Sequence, residues 1–244
     1  MKERLDILLV NMGLAPTRSR AAAMIKAQSV CVNGKSAVKP GAVFDDELCT
    51  ITVADDALKY VSRGGLKLEG AIKEFGLDIS GKICLDIGSS TGGFTDCMLQ
   101  NGAAKVIAVD VGSDQLDAKL RGDDRVVVME QTNFRYLTAE DIGGTVSFAT
   151  CDVSFISLDK ILPNAYELLQ EGARMVCLIK PQFEVGKENL GKGGIVKNSK
   201  DIEKVITRVT DNAREIGFEV LGVTDSPIKG GDGNREYLML IRKN

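Results

Sequence analysis

A chain of 244 residues with 44% hydrophobic and 27% charged content has an ordinary globular composition, long enough for one large domain or a medium domain with a small companion. Its uncharged apolar runs reach only about five residues and the apolar part of its opening MKERLDILLV is too short for a secretion signal, so a cytoplasmic protein with no membrane role is expected. There is no histidine, and the six cysteines (Cys31, Cys49, Cys84, Cys97, Cys151, Cys177) form no C-x-x-C pair. No metal site is therefore expected, the thiols are read as buried and reduced, and any general base must be Lys, Asp, Glu, Tyr or Cys.

The net charge of −3 is unevenly spread. Residues 1–40 carry seven Lys/Arg against two acids, a balance of +5 that leaves −8 on the remainder. A basic end on an acidic chain suggests a polyanion-binding module joined to something else. In chain order, RLDILLVNMG has helical apolar spacing and stops at Gly13, and Thr17 is placed to cap a second helix, RSRAAAMIKA. VCVNGKSAV then reads as a strand, an Asn33-Gly34 turn and a strand, and LCTITV closes the unit near residue 53. These pieces resemble the S4 RNA-binding module: Arg4-Leu5-Asp6, Thr17-Arg18-Ser19-Arg20 and Val30-Cys31-Val32-Asn33-Gly34 stand in its pattern. Ala27-Gln28-Ser29 departs from it, where the module usually has a glycine before the first strand. The resemblance implies RNA binding through Arg4, Arg18, Arg20, Lys26 and Lys35. The expected division is an S4-like domain over 1–55, a linker over 56–63 and a second domain over 64–244.

The second domain opens with GLKLEGAIKEFG, a helix with Leu68, Ala71, Ile72 and Phe75 on one face and Lys67 off it. From residue 83 strands and helices alternate: ICLDIG, KVIAVD, RVVVME, VSFATCD, ARMVCLIKP, FEVLGVTD and EYLMLIRK read as strands, with helices over 93–101, 113–120, 157–170 and 199–216. Near-continuous Val/Ile runs suit strands covered on both faces, so the expected fold is α/β, a doubly wound seven-stranded Rossmann-like sheet behind a small α+β domain. No helix separates the last two strands, which predicts an antiparallel return for the seventh.

The stretch LDIGSSTGGFTDCML is close to a dinucleotide fingerprint, but Ser90 stands where G-x-G-x-x-G has its second glycine. A turn of this form passes under a ligand without gripping two phosphates, which suits S-adenosylmethionine. Its ammonium would favour Asp86 and its carboxylate the amides at the helix start. Asp110 ends the second strand, where an acid accepts ribose hydroxyls, and Asn133 after the third is placed to read the adenine edge. The expected cofactor set is Asp86, Gly88, Ser90, Gly92, Gly93, Phe94, Asp110, Asn133 and Asp152.

Ligands in open α/β sheets bind at the carboxyl ends of the parallel strands. Asp152 and Lys180 end the fourth and fifth strands, Glu236 starts the seventh, and Lys67 reaches the same edge from the leading helix. Charges inside apolar strands are costly unless paired, so the alternative is a structural salt-bridge cluster. A free lysine titrates near ~10.4, and a neighbouring cation or burial is needed to make it a base. Lys67, Asp152, Lys180 and Glu236 resemble the Lys-Asp-Lys-Glu tetrad of FtsJ-like RNA ribose 2′-O-methyltransferases. With the S4-like module in front, the whole chain resembles the TlyA family, on Ser62-Arg63-Gly64-Gly65-Leu66-Lys67-Leu68, the Gly88 turn, Cys151-Asp152-Val153-Ser154-Phe155, Lys180-Pro181-Gln182-Phe183-Glu184 and Arg235-Glu236-Tyr237. Asn133 departs from the acid that other FtsJ-like enzymes often carry there.

The resemblance implies methylation of a cytidine 2′-hydroxyl in ribosomal RNA. Lys180 is then the expected base, Asp152 its fixing partner, and Lys67 and Glu236 the residues that position the hydroxyl. Because the chain ends soon after its last strand, large-subunit RNA is the expected target; the oligomeric state is left open. Lys187, Lys192 and Lys197 lie in a glycine-bearing stretch that either closes over substrate or is a solvated loop. The competing functions are an RNA-binding protein with an inactive methyltransferase domain, a nicotinamide-linked oxidoreductase, and, last, a cytolysin.

Overall fold

The computed structural model describes residues 2–26, 29–37, 39–53, 59–186, 190–196, 198–230 and 233–244. The chain divides into two compact units, Met1–Arg63 and Gly64–Asn244.

In the first unit β1 (Lys2–Arg4) runs into α1 (Leu5–Asn11), followed by α2 (Arg18–Lys26), β2 (Val30–Val32), β3 (Lys35–Ser36), β4 (Val43–Asp45) and β5 (Ile51–Val53). The Thr17 hydroxyl accepts from the Arg20 amide at 3.1 Å, the expected cap. Asn33 and Gly34 turn at φ 51° and 75°, as a two-residue hairpin requires. β3, β2 and β5 form one antiparallel sheet over a core of Leu5, Leu9, Ala21, Ile25 and Val30. The β1–β4 pair was not expected. Its strands are three residues each, too short and too polar for an alternating pattern, and they are held by the register Lys2↔Asp45 to Arg4↔Val43. Ala27 and Gln28 lie outside the described residues.

The second unit begins with α3 (Gly64–Phe75) and continues β6 (Ile83–Ile87), α4 (Gly93–Gln100), β7 (Lys105–Val109), α5 (Ala118–Arg121), β8 (Val126–Met129), β9 (Val146–Cys151), α6 (Leu162–Leu168), β10 (Leu169–Ile179), α7 (Pro181–Glu184), α8 (Ser199–Ile216), β11 (Phe218–Asp225) and β12 (Tyr237–Lys243). These strands form one seven-stranded sheet in the order β11-β12-β10-β9-β6-β7-β8. β12 is antiparallel to both neighbours, as the missing crossover helix predicts. β10, β9, β6, β7 and β8 are mutually parallel, with helices covering apolar strand faces. α8 buries Ile202, Val205, Val209 and Ala213, a stripe at helical spacing.

Two helices are shorter than their periodicity predicts. Residues 113–117 do not join α5, because the Glu130 carboxylate takes the amides of Asp114, Gln115 and Leu116 at 2.8–3.0 Å and Asp117 caps the helix only at its own position. The expected helix over 157–170 is a 3₁₀ turn at Leu158–Lys160, then α6; from Leu169 the chain is already β10.

Asp86, in the middle strand β6, is wholly buried. The hydroxyls of Thr95 and Thr150 donate to its two oxygens at 2.6 and 2.9 Å. Burial outweighs those bonds and pushes the carboxyl up to about 6. A carboxyl whose folded value lies above its unfolded one binds more protons when folded. Its stabilising contribution is therefore present near pH 4 and is lost as pH rises through about 6. Asp86→Asn keeps the shape and removes the titration. Between pH 4 and 7.5, urea unfolding should show the wild type losing on the order of 2–3 kcal/mol relative to the variant.

Candidate active site

The carboxyl ends of the parallel strands gather four charged side chains. Asp152 follows β9, Lys180 follows β10, and the Ile179↔Tyr237 register of the antiparallel return sets Glu236 beside Lys180 at the same edge. Lys67 comes from the first turn of α3, on its buried side. The four form an unbroken alternating chain: Lys180 Nζ lies 2.5 Å from Asp152 Oδ1, Lys67 Nζ 3.5 Å from Asp152 Oδ2, and Lys67 Nζ 2.6 Å from Glu236 Oε2. Lys67, Lys180 and Glu236 are each less than 10% exposed. Two cations and two anions cancel, which lets the cluster stay buried and makes loss of any one member expensive. Gly230 makes room for it, since a Cβ there would fall 2.4 Å from Glu236 Oε1.

Several supporting groups carried no role in the sequence reading. Lys180 Nζ also donates to Ser154 Oγ at 3.0 Å. Phe155, next to it, is 91% exposed at φ 63°, a conformation rare for a bulky residue, and its ring lies 4.9 Å from that of Phe183. Glu184 accepts from Ser157 Oγ at 2.7 Å and from the Leu158 amide at 2.8 Å, and pairs with Arg208 of α8, which also pairs with Asp159. That knot ties the segment carrying Asp152 to the one carrying Lys180. Buried Asn234 accepts from the Val196 amide at 3.0 Å and donates to the Gly194 carbonyl at 3.1 Å. Ser154, Phe155, Phe183 and Glu184 had a sequence signal only as members of quoted motifs, and Ser157, Asp159, Arg208 and Asn234 had none; their contacts depend on loops whose courses no periodicity encodes. Lys187 and Lys197 lie outside the described residues, as does the side chain of Lys192.

The glycine turn lies beside the cluster. Its amides are largely consumed by the chain itself: Gly88 and Ser89 donate to the Val109 carbonyl, Ser90 to Asp110 Oδ2 at 2.8 Å, and Gly92 to the Ser89 carbonyl. A pyrophosphate would find none of these four amides available. Ser90 sits at φ 47°, holding without a glycine the left-handed turn that the dinucleotide pattern assigns to one. Asp110 also accepts from the Gly112 amide at 2.7 Å and stays half-buried, with exposed Val111 after it. Gly93 is buried at the start of α4.

Two expected cofactor contacts are corrected. Asp86 is wholly buried within β6 with both oxygens taken by threonines, and Phe94 is 3% exposed, packed into the interior. Asn133 is exposed, but its Oδ1 accepts from the Arg135 amide and Nε at 3.2 and 3.3 Å, leaving its amide nitrogen to face outward chemistry. Burial drives the Cys151 and Cys177 thiols up and Cys84 up to about 12, which removes them as proton acceptors.

In the first unit, Asp6 draws two of the expected RNA contacts together. Arg4 binds it through two nitrogens at 3.0 and 2.9 Å, and Arg18 approaches at 3.4 Å. Both guanidinia stay about half exposed or more, and their bonds hold the Asp6 carboxyl below the usual range. Arg20 is a correction: its guanidinium donates to the carbonyls of Tyr60 and Val61, a structural tie within the unit. Lys35 is exposed at the hairpin, and the Lys26 side chain is not among those described.

A doubly wound sheet with an antiparallel seventh strand, a glycine turn whose amides are bonded within the chain and a charged tetrad at its carboxyl edge are the marks of a methyltransferase-type domain. The FtsJ-like methyltransferase model matches residues 60–243 and the S4 domain model residues 3–43. YqxC of Bacillus subtilis is 54% identical over 239 residues, 98% of this chain and 85% of that protein. The 16S/23S rRNA (cytidine-2′-O)-methyltransferase TlyA of Mycobacterium tuberculosis is 44% identical over 241 residues, 99% of this chain and 90% of that protein. A solved structure from Streptococcus thermophilus superposes with a TM-score of 0.79 at 50% identity, covering 100% of this chain and 89% of that one. The chain belongs to the FtsJ-like methyltransferase family, in the S4-bearing group that includes TlyA.

Gly88 joins turn and tetrad: at φ 80°, a Cβ on it would stand 2.7 Å from the Asp152 carbonyl oxygen. Gly88→Ala therefore combines a left-handed alanine with a displaced Asp152 backbone. Calorimetry should record a loss on the order of 2–4 kcal/mol and a lowered melting temperature.

Proposed function

We propose that the chain transfers a methyl group from S-adenosylmethionine to the ribose 2′-hydroxyl of a cytidine in ribosomal RNA, with large-subunit RNA as its substrate. The observation that carries this reading is the buried, charge-balanced chain Lys180–Asp152–Lys67–Glu236 beside the glycine turn. TlyA of Mycobacterium tuberculosis, whose name specifies cytidine 2′-O-methylation of 16S and 23S RNA, supports the substrate class.

The turn suits a cofactor with an adenosine and an amino-acid tail but no phosphate. Asp110 would hold the ribose hydroxyls, Asn133 would face the adenine, and residues 88–93 would run beneath it. When bound, S-adenosylmethionine supplies an electrophilic methyl on a sulfonium. The chain's own work is to align the sugar hydroxyl and take its proton. Alignment is the larger contribution, because a ribose hydroxyl is a poor nucleophile until it is held in line. Lys180 takes the proton, Asp152 fixes its amine, and Lys67, braced by Glu236, holds the hydroxyl. Exposed Phe155 offers a face on which an unstacked base can rest. Arg4, Arg18 and Lys35 would supply salt-dependent phosphate contacts from the S4 unit. In this reading residues 1–55 bind RNA, 56–63 join the two parts and 64–244 catalyse, and a ribosomal substrate would put the protein in the cytoplasm. Among the described residues no helix is long and apolar enough to cross a membrane.

Mass-spectrometric mapping of ribose methylation, with and without the gene, should show one or more cytidine methyls lost from large-subunit RNA. An unchanged map overturns the reading, and a loss confined to small-subunit RNA overturns the subunit assignment. In vitro, Lys180→Ala should lower methyl transfer by at least about 10³-fold while cofactor affinity, measured by calorimetry, stays within about threefold of wild type.

A further inference from the structure

Lys180 presents a problem of direction. An amine nitrogen has three positions besides its bond to Cε; the neutral form fills two with hydrogens and one with the lone pair. A base is effective only when that lone pair meets the proton to be removed. With Asp152 as sole acceptor, one hydrogen is fixed and the lone pair is free to occupy either remaining position. The structure gives Lys180 Nζ a second acceptor, Ser154 Oγ at 3.0 Å, beside Asp152 Oδ1 at 2.5 Å. Lys67 cannot serve this purpose, since an ammonium has nothing to accept with.

We propose that Ser154 is a positioning residue: once the resting ammonium of Lys180 has released one proton to solvent, Asp152 and Ser154 engage its two remaining hydrogens, so that the lone pair has one direction left, toward the substrate hydroxyl. This rests on the reading of Lys180 as proton acceptor. As the 2′-hydroxyl proton moves onto Nζ, its O–H electron pair stays on oxygen for the new O–C bond. The amine becomes an ammonium still held by Asp152 and Ser154. The serine bond is thus to a neutral donor before transfer and to a charged one during it, so it strengthens in the transition state and acts on kcat. Ser154 is exposed, outside every packed core, so its replacement leaves folding intact.

The test uses the full-length protein with large subunits isolated from cells lacking the gene, measuring S-adenosylhomocysteine release by wild type, Ser154→Ala, Ser154→Thr and Lys180→Ala. Ser154→Ala should lower kcat by about 10- to 100-fold. KM for subunits and cofactor affinity should remain within about twofold, and Ser154→Thr, which keeps the hydroxyl, should recover most of the rate. A kcat for Ser154→Ala equal to or above that of wild type overturns the proposal, the latter because the hydroxyl would then be capping the lone pair. A raised KM at unchanged kcat also overturns it, by making Ser154 a plain substrate contact. Wild type without activity, or active Lys180→Ala, is a different failure, that of the underlying reading.

Discussion

One carboxylate shared by two amines organises this molecule. Asp152 stands between Lys180 and Lys67, and without it two buried cations would face each other with only Glu236 to offset them. Repulsion of that kind inside a protein is costly, so the backbone around Asp152 has to be held firmly. β9 leads into it through a fully hydrogen-bonded parallel ladder, and its own amide donates to the Ile87 carbonyl. Gly88, the residue after Ile87, lies close against its carbonyl. The rigid centre of the sheet thus carries the residue with the least tolerance for movement.

The glycine turn follows a related economy. Its amides are spent on shaping the loop, Ser90's on the Asp110 carboxylate and those of Gly88, Ser89 and Gly92 on backbone carbonyls, while farther along the chain the Glu130 carboxylate takes the amides of residues 114–116. These backbone bonds, with Arg121 beside it, hold the Glu130 carboxyl down to about 2. Asp110, for its part, sets one carboxylate against the turn, an arrangement unfavourable to phosphates.

Much of this was legible in the sequence. Val/Ile runs, the missing last crossover helix and the position of each charge at a strand end were enough for the sheet, its antiparallel return and the meeting of Lys67, Asp152, Lys180 and Glu236. What failed did so for identifiable reasons. Asp86 looked like a ligand group because it precedes the turn, but strand alternation directs it inward, to Thr95 and Thr150. Phe94 sits on the interior side of α4, and Arg20 bonds to carbonyls 40 and 41 residues away, a contact no local pattern announces. The helix expected over 113–120 gave way to a side chain, Glu130, that outcompetes helical acceptors for three amides. Ser154 and Glu184 were visible as letters in motifs, and only loop geometry gives them work.

The antiparallel return also couples the sheet to the site. Glu236 precedes the strand that enters the sheet between β10 and β11, and it arrives only when that strand docks. Without that docking Lys67 would lack its nearer carboxylate. The charge balance of the site is thus tied to the seating of β12: displacing that strand would leave two amines against one carboxylate.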